Sequence, residues 1–389
     1  MAQGDPKPAS RQTRRRETDQ PESVPALAAP PIERDNPLTR SLAGVLGIVF
    51  LTMMIAACVG SLPWTLGAPS GSDVPRYSAG APSAGRISPA WWPPDEREKE
   101  RLNALVPEDF VTEVAAANGI TFAEALAQTE GPVYAALAER HPRFVLGSDL
   151  LGRSVLVRAL TGGGISLGIG IAAAVISVTI GTVYGAVAGY AGGKVDGLMM
   201  RIVDVLYGLP YILLVVLIAV AVDGFIDDRV AAGLELSTSQ RTALDIAALL
   251  IAIGGVSWLT MARVVRGQVL SLKNQPFVEA ARAVGAPTSR IFVKHLLPNL
   301  VGPITVYATL TVPQAILQES FLSFLGIGVK PPLPSWGNLA AEGLSELNTF
   351  RSHWWLLAVP SALLGVTLLA LNFVGEGLRE ALDPKRARR

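Results

Sequence analysis

The sequence predicts an all-α polytopic membrane protein with about six transmembrane helices, a polar helical loop on the cytoplasmic side and a small extracytoplasmic helical insertion. Three observations predict this class. The 389 residues are 50% hydrophobic and only 17% charged, whereas a soluble domain carries about 25% charged residues. The apolar residues fall in long runs of roughly the 20 residues that cross a bilayer core of about 30 Å. Lys and Arg concentrate in loops on one side of these runs.

The six predicted spans lie at 42–63, 164–190, 199–222, 244–264, 299–325 and 355–376. The first is interpreted as a retained anchor. The loop between the fourth and fifth spans is rich in Lys and Arg, and so is the C-terminal tail, whereas the loop at 223–243 is rich in acids. Because basic loops stay inside, we expect the 274–298 loop and both termini to be cytoplasmic.

These spans divide the chain into segments. Residues 1–40 are rich in Pro, Arg, Gln and Glu without an apolar period, which predicts a disordered cytoplasmic tail. The first transmembrane helix (41–63) leads to an extracytoplasmic insertion (64–145), a transmembrane domain (146–384) and a basic cytoplasmic tail (385–389). Within the insertion, a Pro/Gly/Ser-rich linker precedes three short helices that open near 107, 122 and 131. A spacer, a lid and a contact surface for a substrate-delivering protein remain open as its role.

The loop at 274–298 is predicted to fold as helix–Gly–helix and to project from the membrane, because such a polar segment cannot lie in hydrocarbon. Pro276 suits the start of a helix, Glu279 favours its first turn, and Gly285 provides a C-cap. A basic amphipathic loop lying on the bilayer is the alternative. The candidate site residues in this loop are Glu279, Ala280, Ala281, Gly285, Ile291, Leu297 and Pro298.

Further motifs surround this loop: LGSDLLGRS at 146–154, GYAGGKVD at 189–196, VVRGQ at 264–268, SFLGIGV at 323–329, PPLPSWG at 331–337 and GEGLREALDP at 375–384. Together with E-A-A-x3-G-x5-I and L-P in the loop, they resemble the dipeptide/oligopeptide permease family of ABC importers, in its C-type subunit. The resemblance covers about 146–384. Ser154, His295, the long N-terminal tail and the insertion depart from the family pattern.

The resemblance implies partners and a mechanism. It implies a second homologous permease subunit, two cytoplasmic ATPase subunits that grip the 274–298 coupling-helix loop, and an extracytoplasmic solute-binding protein. ATP would be used by the partner subunits, with no cofactor in this chain. The implied activity is alternating-access import of short peptides, or of a related small solute such as nickel, across the bacterial cytoplasmic (inner) membrane.

Two polar residues near the outer end of the fifth span, Gln318 and Glu319, are candidate pore-side residues. A polar group in a bilayer usually faces the bundle interior or a cavity, and an interhelical structural role is the alternative for each. The glycine ladder at 181, 185, 189 and 193 predicts close helix packing. The prolines at 210, 303, 313 and 360 predict interruptions of the spans.

Several function classes lack support in the sequence. Gly193-Lys194 is followed by Val195, so the phosphate-binding G-x4-G-K-[ST] loop is not matched. The three histidines and one cysteine lack metal-ligand spacing, and a net charge of +1 gives no support for a nucleic-acid partner. We therefore predict a transport subunit and not an enzyme. The alternative is an ion-driven secondary transporter, a class that favours inverted repeats and ionisable groups at the midplane, neither of which is evident here.

Overall fold

The protein is described by a computed structural model that covers residues 42–348 and 352–382. The predictions for the two tails, 1–40 and 385–389, lie outside these ranges. The described part is helical, with α1 (Leu42–Thr65), α2 (Glu96–Asn103), α3 (Glu108–Asn118), α4 (Phe122–Ala127), α5 (Gly131–Ala138), α6 (Val155–Ala191), α7 (Gly193–Tyr207), α8 (Tyr211–Ala231), α9 (Thr238–Leu272), α10 (Pro276–Ala283), α11 (Thr288–Ile291), α12 (Leu297–Phe324), α13 (Trp336–Ser345) and α14 (Trp355–Leu382).

The predicted spans are present as helices. In the described ranges, α1, α6, α9, α12 and α14 are long and apolar enough to cross a membrane, and α7 with α8 makes a sixth candidate. Helices α6 and α9 have 37 and 35 residues, well beyond the predicted spans. Hydropathy marks only the part of a helix that suits hydrocarbon, so their polar ends escape it.

The third span, predicted at 199–222 with an interruption at Pro210, is broken at that residue. Helices α7 and α8 meet there at a 91° bend. Pro210 has no N–H for the helix, and it disfavours helical geometry at Leu209 before it. Pro303 and Pro313 lie inside α12 and Pro360 lies inside α14 without ending either helix. Of the four prolines expected to interrupt spans, only Pro210 coincides with a break.

The core of the bundle is the crossing of α6 with α9, which pack most extensively of all helix pairs. Three of the four glycines that predict close packing, Gly181, Gly185 and Gly189, lie at this crossing. A Cβ atom at Gly181 would meet the Met261 side chain, one at Gly185 would meet the carbonyl oxygen of Ala262, and one at Gly189 would meet the backbone of Arg266. The absence of side chains therefore lets the two backbones touch. A Cβ atom at the fourth glycine, Gly193, would meet nothing within 4 Å.

Gly185→Ala is expected to destabilise the protein by about 1–3 kcal/mol, because the added methyl group meets helix backbone, which cannot swing aside. Gly168→Ala is the matched control on the same helix: nothing lies within 4 Å of its added Cβ, so alanine should be neutral or slightly stabilising. Thermal unfolding of both variants in detergent checks this. Equal midpoints for the two variants would contradict the close packing.

The insertion has a small core of its own, formed by residues of α3, α4 and α5 such as Val111, Ala125 and Leu137. The three predicted short helices are present. Helix α2 was not predicted, because its EREKERLN sequence lacks an apolar run. The Asp95 carboxylate, which accepts a hydrogen bond from the Glu98 backbone N–H at 2.7 Å, was the available signal for its start.

The linker before α2 is joined to the outer loop before α14 by a bidentate ion pair. Arg86 donates to both carboxylate oxygens of Glu346, at 2.6 and 3.0 Å, and His353 Nδ1 lies 3.3 Å from the same carboxylate. The hydrogen bond from Arg86 is the main reason that the pKa of Glu346 is lowered, and burial opposes it.

This pair predicts a pH dependence. Because the folded-state pKa of Glu346 is lowered, its stabilising contribution is full above the ordinary Glu pKa, about 4.3, and is lost as pH falls through the lowered value. The difference in unfolding free energy between wild type and Glu346→Gln should therefore be present at pH 7 and be lost as pH falls through the lowered pKa of Glu346. Thermal unfolding across this range measures it. A difference that stays constant with pH would exclude the linkage.

Candidate functional site

The loop between α9 and α12 has the predicted helix–Gly–helix form. Helix α10 begins with Pro276 and ends at Ala283, and Gly285 just beyond it has φ +79°. The Gly285 N–H donates to the Arg282 carbonyl at 2.9 Å, and the Ala286 N–H donates to the Ala281 carbonyl at 3.0 Å. These two bonds form a Schellman motif, which requires a left-handed residue at the glycine position.

The loop has an anchored face and an exposed face. Val278, Ile291 and Leu296 are buried in one apolar cluster with side chains of α6, α9 and α12. Val284 at the tip is 88% exposed, and Phe277 is also exposed. The exposed face thus carries these two apolar side chains together with the charged residues Glu279, Arg282 and Arg290.

The seven predicted site residues divide between these faces. Glu279, Ala280, Gly285 and Pro298 are exposed, Ala281 and Leu297 are half-buried, and Ile291 is in the apolar cluster. Ile291 therefore anchors the loop and is not available to a partner. Sequence reasoning missed Val284 and Phe277, because an apolar residue in a cytoplasmic loop is not distinguishable from a buried one by type alone.

The second half of the loop is continuous with a membrane helix. Helix α11, a π-helical turn at Phe292–Leu296 and α12 follow one another without a break. Pro298 has no N–H to donate to the carbonyl one turn before it. The wider π-helical turn directly precedes this residue. The loop is therefore continuous with α12, which extends to Phe324.

A cavity of about 380 Å³ lies within the membrane bundle, beside the break between α7 and α8. Residues on both sides of the break, together with α9 and α12, form its wall. The lining residues are Leu206, Tyr207, Leu209, Tyr211, Val256, Leu259, Thr260, Gln314 and Gln318. The space therefore lies at the interruption that Pro210 predicts.

Gln318 belongs to a hydrogen-bond network across three helices. The Tyr211 hydroxyl donates to the Gln318 side-chain oxygen at 2.6 Å and lies 2.8 Å from the Ser257 hydroxyl. Ser257 in turn donates to the Ile253 carbonyl within α9 at 2.8 Å. Neither Tyr211 nor Ser257 was predicted as a site residue, since single hydroxyls in apolar runs carry no distinctive pattern.

Glu319, the other predicted pore-side residue, points elsewhere. It is fully buried and does not line the cavity, which corrects the prediction. Its carboxyl accepts hydrogen bonds from Ser323 at 2.7 Å and Ser320 at 3.3 Å, and Ser166 and Ser335 direct their hydroxyls at it. Adjacent helical residues diverge by about 100° around the axis, so Gln318 and Glu319 cannot share one face. Glu319 joins α12 to α6 and α13.

Helix α7 is held to α9 by two ion pairs. Arg263 donates to Asp204 at 2.8 Å and covers the Tyr207 ring at 3.9 Å. Arg266 binds Asp196 through two nitrogens, the longer bond at 2.7 Å. These pairs keep the broken span against the bundle.

The 146–154 motif forms an ion cluster at the start of α6. The Asp149 carboxylate accepts from the backbone N–H groups of Leu151 and Arg153, each at 2.9 Å, and from the Arg158 guanidinium at 2.6 Å. Arg158 also donates to Glu342 of α13 at 3.0 Å. The motif therefore fastens the start of α6 to the short outer helix. Arg158 and Glu342 were not predicted.

A comparison with known proteins matches the part of the chain that contains the loop and the cavity. A family model described as the binding-protein-dependent transport system inner membrane component matches residues 181–388, more than half of the chain. The chain belongs to this family. It is a multi-pass inner-membrane permease, and the matched range includes the loop, the cavity and α12.

Curated relatives are similar over most of their length. The oligopeptide transport system permease protein OppC of Escherichia coli K12 is 47% identical over 239 residues, which cover 61% of this chain and 72% of that protein. The dipeptide transport system permease protein DppC of Bacillus subtilis is 46% identical over 242 residues, 62% and 69% of the two chains. The glutathione transport system permease protein GsiD of Shigella flexneri is 41% identical over 239 residues, 61% and 71% of the two chains.

Among solved structures, the methionine ABC transporter MetNI in an inward-facing conformation gives a TM-score of 0.44 at 18% identity, covering 58% of this chain and 96% of that one. Within the described residues, no group of three or more His, Cys, Asp and Glu side chains is arranged to hold a metal ion.

Proposed function

We propose that this chain is one membrane-spanning subunit of an ATP-driven importer that translocates short peptides by alternating access. Its partners would be a second homologous permease, two cytoplasmic ATPase subunits and an extracytoplasmic solute-binding protein. Relatives named for oligopeptides, dipeptides and glutathione support a peptide-like solute. The termini and the 274–298 loop would face the cytoplasm, in line with their Lys and Arg content.

The observation that carries the proposal is the anchored loop. Its exposed face presents Glu279, Ala280 and the Val284 tip, while its buried face is locked into the bundle. An ATPase subunit that grips the exposed face would move α11 and α12 as one body. Because α12 also forms a wall of the cavity, closure of the ATPase dimer would change the access to that space.

Purification of the complex from native membranes tests this proposal. We expect a second permease and ATPase subunits to co-elute, with solute-stimulated ATP hydrolysis. Glu279→Lys should abolish both co-elution and hydrolysis, because it reverses the charge of an exposed residue in the first turn of α10.

Glu113→Lys makes the same charge change at an exposed position of α3 in the insertion and should leave both readouts intact. Recovery of this chain alone, or as a homo-oligomer without an ATPase, would contradict the proposal and favour the ion-driven alternative.

A further inference from the structure

The wall of the membrane cavity is polar but uncharged. Its hydrogen-bonding groups are the side-chain amides of Gln314 and Gln318 and the hydroxyls of Tyr207, Tyr211 and Thr260. The remaining lining residues are apolar. Such a cavity suits a polar solute that forms hydrogen bonds. A wall without charged groups does not select a solute by its charge.

An ion pair lies beside one of the lining residues. Arg263 lies over the Tyr207 ring, 3.9 Å from the centroid, and its guanidinium donates to Asp204 at 2.8 Å. The charge of Arg263 is therefore balanced by a carboxylate.

The two glutamines have unused hydrogen-bonding capacity. Gln314 is exposed and makes no side-chain hydrogen bond in the described part of the chain. It lies one turn from Gln318 on the same face of α12. The Gln318 side-chain oxygen accepts a hydrogen bond from the Tyr211 hydroxyl. The NH₂ group of the same amide is therefore free to donate. A primary amide offers one acceptor and two donors, the complement of the C=O and N–H groups in a peptide bond.

We propose that Gln314 and Gln318, with the hydroxyl of Tyr211 fixing the Gln318 orientation, contact the backbone amides of the translocated peptide, and that the neutral wall makes passage indifferent to the charge of peptide side chains. This inference rests on the proposed function, and it assigns specificity-determining residues to the cavity. The wall has no carboxylate, imidazole or thiol, the ligands that a transition-metal ion such as nickel prefers. A metal-ion path is therefore disfavoured.

A charge test at Gln314 decides whether the solute passes this wall. Cells expressing the complete transporter are given equimolar Ala-Glu-Ala and Ala-Lys-Ala, and the ratio of their ATP-dependent uptake is compared between variants. Gln314→Glu should shift the ratio about tenfold against Ala-Glu-Ala, and Gln314→Lys should shift it about tenfold the other way, because like charges repel strongly at low dielectric. Opposite shifts cannot come from impaired folding, and the unchanged binding protein cancels from the comparison.

An amide test uses the same cells. Trialanine is compared with trialanine methylated on its central amide nitrogen, which removes one donor. Wild type should discriminate against the methylated peptide, and Gln314→Leu should reduce that discrimination at least threefold. Leu317→Ala is the control, because Leu317 is exposed on α12 outside the cavity and should leave both ratios unchanged.

The outcomes separate the two proposals. Uptake of none of these peptides by wild type would overturn the peptide-import function, and the inference with it. Wild-type uptake with charge ratios within twofold of each other in Gln314→Glu and Gln314→Lys would overturn the inference alone. The same holds if Gln314→Leu discriminates against the methylated peptide as wild type does.

Discussion

Gly285→Leu is expected to abolish ATP-driven uptake while the protein still inserts into the membrane. Gly285 has φ +79°, a conformation that costs an L-residue with a side chain about 1–2 kcal/mol. Nothing lies within 4 Å of an added Cβ atom, so the cost is strain and not a clash. The bundle can therefore remain folded while α10 loses its Schellman end and the Val284 tip changes position.

Uptake in cells, the amount of inserted protein and the amount of co-purified ATPase are the measurements. Gly285→Asn is the matched control, because asparagine enters the left-handed region more readily than other side chains, and it should keep at least half of the uptake. Normal uptake by a well-expressed Gly285→Leu variant would show that the shape of this loop is not needed. Equal loss in both variants would indicate a need for glycine itself and not for its conformation.

Arg158→Met is expected to cost about 3–5 kcal/mol of stability, the range for breaking a buried ion pair from one side. The Arg158 side chain is 3% exposed, and it binds Asp149 and Glu342 at once. Methionine fills similar space but leaves the Asp149 carboxylate, which is 6% exposed, without one of its two cationic partners. The start of α6 and helix α13 should then separate.

Thermal unfolding in detergent checks the size of this effect. Arg158→Lys keeps the charge but cannot bridge two carboxylates with a planar fork, so it should fall between wild type and Arg158→Met. Arg241→Met removes ion pairs with Asp227 and Asp245, and Asp245 keeps Lys330 as a cationic partner, so stability should change by at most about 1 kcal/mol for each pair. A similar unfolding midpoint for Arg158→Met and Arg241→Met would mean that the outer cluster does not hold the helices together.

Gly285 and Arg158 differ in how far their structural roles could be predicted from neighbouring residues in the sequence. The Gly285 conformation was predictable, because a helix end, a glycine and a following proline are consecutive in the chain. The Arg158 cluster was not, because Glu342 lies 184 residues away. The 146–154 motif was noticed as a pattern, but its physical role appears only when α13 supplies the second carboxylate.

The same division explains why Gln318 lies at the cavity and Glu319 does not. Both are polar residues in an apolar run, and hydropathy treats them alike. Their difference depends on which helices lie on either side of α12. Four serines from three elements surround Glu319, whereas Tyr211 and the cavity lie beside Gln318. Pairing of a buried polar group is a long-range property.

Composition, hydropathy and loop charge were enough for the fold class, the number of spans, three of the four short helices of the insertion, the break at Pro210 and the form of the 274–298 loop, because each depends on residues within about one helix length of one another. The family likewise follows from motifs read along the chain. Tertiary contacts decided the 91° angle between α7 and α8, the cavity beside it, and which face of α12 lies on the cavity. These depend on the packing of distant helices, where a single backbone approach or ion pair outweighs local preference.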